Sequence, residues 1–113
     1  MKEKLDALGV NVEDAMVRFM NNEAMLVKFL KKFVNNANYP ALKEAIAAGD
    51  KENALLHSHT LKGNCGNLSL TALYQLFTKQ VELFRAEDWD GACAMMDEIE
   101  AKYTETIDGI NEL

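Results

Sequence analysis

The residues of this chain that could do chemistry crowd into one decapeptide, His57-Ser58-His59-Thr60-Leu61-Lys62-Gly63-Asn64-Cys65-Gly66. The stretch reads as helix, and a turn of about 100° per residue assigns its faces. With His59 at zero, Gly66 falls about 20° away, Gly63 about 40° and Lys62 about 60°, while Leu61 points nearly the opposite way. Each interior helix glycine costs roughly 1 kcal/mol relative to alanine. On an exposed face these two do nothing for folding, but they leave the His59 imidazole clear for a large partner. A neutral imidazole is a competent nucleophile near neutral pH. Lys62, one turn on, can offer its ammonium to a phosphoryl oxygen as a point charge.

Other candidate chemistry is weaker. His57 and His59 project about 200° apart on a helix and cannot share a metal there. No further ligands follow them, so His57 is expected to be packed or half-buried and no metal site is expected. The carboxylates Asp14, Glu44, Glu82, Asp97, Glu98 and Glu100 sit on polar faces without catalytic pairing by spacing. Cys65 and Cys93 lack CxxC spacing and read as buried free thiols. No glycine-rich loop follows a strand, so no nucleotide-binding motif is present, and no G-x-S-x-G elbow occurs.

The elements that must position the decapeptide are all helical. Residues 2–8 make a short lead-in closed by Gly9. Asn11 caps a helix through Val12, Ala15, Met16 and Phe19, and Asn22 caps the next, with a stripe of Leu26, Phe29, Leu30, Phe33 and Val34. Pro40 suits the first turn of a helix carrying Leu42, Ala45 and Ile46 that stops at Gly49. Asp50 then caps the His59 helix, whose inward seam is Ala54, Ser58, Leu61, Cys65 and Leu68. After Ser69, Leu70, Leu73, Leu76, Phe77, Val81 and Phe84 line another helix. Asp88 caps one last helix, with its seam running from Trp89 through Ala92, Met96, Ile99, Tyr103 and Ile107 to Ile110. Short connections favour antiparallel neighbours. The expected fold is therefore all-α: an up-and-down antiparallel four-helix bundle with short additional N-terminal helices, one domain over residues 1–113.

Composition narrows the function classes. The chain has 113 residues, 49% of them hydrophobic, and a net charge of −6. That balance argues against nucleic acid and anionic membranes as main partners. No apolar run approaches the ~20 residues that span a bilayer. The charged start lacks the apolar segment of a signal peptide, so a cytoplasmic location is expected.

His59-Thr60-Leu61-Lys62-Gly63, on the central helix of a small acidic bundle, resembles the histidine phosphotransfer (HPt) domain family of two-component phosphorelays. The resemblance covers nearly the whole chain, through Leu26–Val34, the Gly49-Asp50 break, Asn67-Leu68 and the Gln80–Arg85 region. It implies that His59 accepts a phosphoryl group from a receiver-domain aspartate and passes it to another receiver. It further implies that Lys62 steadies that group and that Gly63 keeps room at the ring. The protein would then be a phosphoryl carrier and not an enzyme with an ATP site. It would need no cofactor of its own, with Mg2+ supplied by the partner receiver domain. Its partners would be receiver domains of response regulators or hybrid kinases. A monomer is the default expectation, with an exposed helix face that could support a weak dimer. Leu56, Gly66, Gln80 and Arg85 are the expected partner-facing residues.

The sequence departs from the family in two places. Ser69 stands ten residues after the histidine, where the family commonly has glycine. The family's polar neighbour on the next helix falls by strict spacing on Val81, with Gln80 and Glu82 either side; Gln80 faces His59 if the Ser69 loop shifts the register. The rival reading is a helical interaction module that docks receivers or kinases without phosphotransfer. The start at Met1 favours a free-standing carrier.

Overall fold

A computed structural model describes residues 2–113; Met1, on which the expectation of a free-standing carrier rests, lies outside them. Among the described residues there are eight helices and no strand. They are α1 (Lys2–Ala7), α2 (Val12–Arg18), α3 (Glu23–Val34), α4 (Asn38–Ala47), α5 (Lys51–Asn67), α6 (Thr71–Arg85), α7 (Trp89–Ala94) and α8 (Met96–Asn111).

The starts follow from the capping residues. Asn11, Asn22, Asp50 and Asp88 each accept a backbone N–H three residues on, satisfying a donor that has no partner within the helix. Gly49, with φ of +68°, closes α4 in the left-handed region and turns the chain directly into α5.

The bundle is built from α4, α5, α6 and α8. Ser58 meets Gln80 and Gly66 meets Tyr74, so α5 and α6 run antiparallel. The seam expected on α5 is found: Ala54, Ser58, Leu61 and Cys65 are all fully buried, and Leu68 nearly so. Around them lie Leu42, Phe77, Leu73, Ile99 and Ile110, within one cluster that reaches from Leu5 to Ile110. Each large aliphatic side chain so buried contributes roughly 1.5–3 kcal/mol. α3 packs on α8 through Phe33, whose ring lies 5.8 Å from that of Tyr103. Tyr103 in turn stacks at 3.7 Å on Tyr39, whose hydroxyl donates to Glu100. Burial and the neighbouring carboxylate together push the Tyr39 phenol far above its ordinary pKa.

Three expectations need correction. Phe29 is not a core member; it is 41% exposed and leans on Phe19 at 5.6 Å between ring centroids. Cys93 is only half-buried, whereas Cys65 is buried, and both thiols are free. The last helix is also not continuous. The side-chain amide of Gln80 donates to the carbonyl of Ala92 at 3.1 Å, and Met95 N reaches that same carbonyl at 3.3 Å in a tighter turn. A side chain inserted into the backbone ladder is an established cause of a helix break.

The N-terminal helices are tied to the bundle at the α5–α6 connection. Val10 and Leu70 form an isolated antiparallel bridge. Asn11 N donates to Ser69 O at 2.9 Å, and Thr71 N donates to Gly9 O at 3.2 Å. This pairing lays α2 against the C-terminal end of α5.

Candidate functional site

His59 stands at the middle of α5 with its neighbours tied down and its own ring in solvent. His57 Nδ1 lies 3.1 Å from Asn38 Oδ1, Ser58 Oγ donates to Gln80 Oε1 at 2.8 Å, and Thr60 Oγ1 donates to Leu56 O at 3.0 Å. His59 itself is exposed. The half-buried His57, packed against α4, agrees with expectation.

A groove of about 460 Å³ opens beside the imidazole. His59, Lys62, Gly63, Gly66 and Asn67 of α5 form its floor, and Tyr74 of α6 with Asp14 and Arg18 of α2 form its walls. The two glycines of the His59 face differ in what they accommodate. A Cβ at Gly63 would meet nothing within 4 Å outside its own helix. At Gly66 a Cβ would stand 3.1 Å from two carbons of the Tyr74 ring. Gly66 therefore makes room for this chain's own tyrosine, whereas the space over Gly63 is open to another molecule.

Leu56, three residues before His59, is 54% exposed and extends the same face of α5. Gln80 is not on that face. It is fully buried, and besides Ser58 and Ala92 its amide contacts Met96 Sδ at 3.2 Å. Val81 is buried as well, at 1% exposure, so neither residue is available to a partner. The reason is register: α6 turns both inward between α5 and the α7–α8 break. Arg85 is exposed but lies outside the groove. Because Ser58 faces Gln80 and the helices are antiparallel, Arg85 stands level with the first turn of α5.

Besides Lys62, a second cation lines the groove: Arg18, which sequence reasoning did not single out. Arg18 Nε donates to Asp14 Oδ2 at 3.1 Å, and Ser69 Oγ donates to the same carboxylate oxygen at 2.7 Å. The Ser69 hydrogen bond and then the Arg18 guanidinium hold the Asp14 carboxyl below its ordinary pKa. The Asp14–Arg18 spacing of four was legible as a helical ion pair. Its link to a serine 55 residues away was not. Ser69 has φ of +56°, so the position where the family commonly has glycine is indeed left-handed in this chain.

Among the described residues, no group of three or more His, Cys, Asp or Glu side chains is arranged to hold a metal ion. No helix among the described residues is long and apolar enough to cross a membrane.

The family model of the Hpt domain matches residues 35–109. The chain belongs to this family, whose members carry phosphoryl groups on histidine in two-component phosphorelays. The match runs from before α4 into α8 and leaves α1, α2 and α3 outside it, so it covers less than the nearly whole chain over which the resemblance was expected. Searches of curated proteins and of solved structures each returned no match.

Proposed function

We propose that this protein is a phosphorelay carrier that accepts a phosphoryl group on His59 from a receiver-domain aspartate and returns it to another receiver. The observation that carries this reading is the exposed His59 ring with Lys62 one turn on and open space over Gly63. Such transfer asks for in-line positioning and charge neutralisation more than for covalent machinery. The lone pair of the unprotonated ring nitrogen attacks phosphorus and an N–P bond forms. The aspartyl O–P bond breaks and its electron pair leaves on the carboxylate. The second ring nitrogen keeps its proton until the phosphorylated ring releases it to solvent.

Each residue of the face has a role in this reading. Lys62 faces the non-bridging oxygens. Gly63 admits the partner's loops, and Leu56 packs beneath them. The Mg2+ that neutralises the aspartyl phosphate belongs to the receiver. α5 is fixed from behind by Ser58–Gln80 and from the side by His57–Asn38, so the ring is presented by a rigid element.

The test is incubation of the full chain and of His59→Gln with phosphorylated receiver domains in Mg2+. Acid-labile, base-stable phosphate on wild type alone supports the carrier. Wild type that stays folded, binds a receiver and takes no label makes the protein a docking module. Label persisting in His59→Gln would move the site to His57.

A further inference from the structure

We propose that Arg18 is a specificity-determining docking residue for the acidic rim of the partner, held at the edge of the His59 groove by Asp14 and Ser69. The inference rests on the reading that a receiver domain covers the His59 face. It assigns a part of that contact to α2, which lies outside the matched family region.

The placement is built, and it is long-range. Paired backbone at Val10–Leu70, Asn11–Ser69 and Gly9–Thr71 fixes the start of α2 to the α5–α6 turn. The Ser69 hydroxyl then takes one Asp14 carboxylate oxygen, and Arg18 Nε takes the same oxygen. Ser69 occupies a left-handed position where glycine would be unstrained, and glycine has no hydroxyl to give. The serine supplies the link that sets the orientation of Asp14 and, through it, of Arg18.

Location decides what Arg18 meets. From His59 to Asn67, α5 rises about 12 Å, and Asp14 is bound beyond that point, at Ser69. Arg18 lines the α2 wall of the groove, tied to an Asp14 that Ser69 holds, so a partner that covers His59 also covers Arg18. Charge decides the kind of partner. The chain as a whole carries −6, yet two cations, Lys62 and Arg18, edge this groove against one carboxylate already engaged by Arg18. A receiver that holds Mg2+ beside its aspartyl phosphate does so through carboxylates, which make the rim of its site acidic. An exposed rim cation acts chiefly by steering association and fixing register, and its effect fades with salt.

The experiment is a titration of the full chain with a panel of receiver domains activated by beryllofluoride, read as Kd at low and at high salt. Arg18→Glu and Arg85→Glu make the same change in net charge, one inside the groove and one outside it. Circular dichroism checks that each variant is folded. The expected result is weakening by about tenfold or more for Arg18→Glu at low salt, a smaller gap at high salt, and little change for Arg85→Glu. Ser69→Gly should weaken binding by a smaller factor, and Arg18→Lys should restore most of it. Equal losses for the two reversals would overturn the proposal, as would wild-type affinity in Arg18→Glu or failure of wild type to bind any receiver. Labelling of wild-type His59 by the small donor phosphoramidate is scored separately. Its failure would sink the carrier reading while the binding data still judged Arg18.

Discussion

Ser58 and Gln80 form a hydrogen bond of 2.8 Å between two fully buried side chains, one residue away from the exposed His59. The serine turns inward because His59 turns outward, and the glutamine that meets it also holds the α7–α8 break at Ala92. The helix that presents the imidazole is thereby pinned to the far side of the bundle.

Gln80→Ala should destabilise the fold by about 3 kcal/mol, since it opens a cavity and leaves the buried Ser58 Oγ without its acceptor. Ser58→Ala should cost about 1–2 kcal/mol, because the Gln80 carbonyl then loses a partner in a buried site. Urea denaturation reads both. A loss for Gln80→Ala no larger than that of an exposed substitution would show that the network is not structural.

The two glycines of the His59 face should respond differently to alanine. Gly63→Ala has open space and a helical backbone, so it should stabilise by about 0.5–1 kcal/mol. Gly66→Ala should gain less, because the Tyr74 ring must give way at 3.1 Å. Adding Tyr74→Ala should restore the gain, which a double-mutant cycle would measure as coupling. Gly63→Leu should keep the fold and slow transfer about 100-fold by displacing the partner.

Lys62→Ala should slow transfer to and from His59 by about 10–100-fold, the scale of losing one charge-stabilising contact. Stability should change by less than about 0.5 kcal/mol, as for other surface substitutions. Rapid-quench transfer kinetics beside a thermal melt separate the two effects, and unchanged kinetics would make Lys62 a spectator.

Ser69→Gly and Ser69→Ala both remove the hydroxyl that holds Asp14, but only alanine keeps the left-handed strain. The glycine variant should be the more stable of the two by about 1 kcal/mol. Equal midpoints in urea would mean that the turn relaxes on substitution.

Asp14 predicts a pH dependence of defined sign. Its carboxyl is held below the ordinary value of 3.8 by Ser69 and Arg18, so the folded state favours the ionised form. That contribution is present above pH 3.8 and is lost as pH falls through the lower folded-state value. Wild type should melt above Asp14→Asn at pH 7, and the two should converge in acid. A constant gap across the range would show that the charge of Asp14 is not what matters.

Much of this protein was legible from one dimension. Helix starts at Asn11, Asn22, Asp50 and Asp88 follow from side chains that satisfy donors a few residues away, and local rules suffice for local bonds. The seam of α5 and the outward position of His59, Lys62 and Gly63 follow from helical periodicity, which is set within the element itself. Only the tertiary structure decided the rest. It buried Gln80 and Val81, because the rotation of α6 depends on what packs behind it. It interrupted the last helix at Met95, because a side chain from another helix captured a carbonyl there. It brought Arg18 to the groove, because a hydroxyl and a carboxylate 55 residues apart in sequence meet at a left-handed turn, and it left Arg85 outside, because antiparallel packing sets that residue level with the first turn of α5. Periodicity fixes which way a residue points along its own helix, and packing between helices determines what it meets.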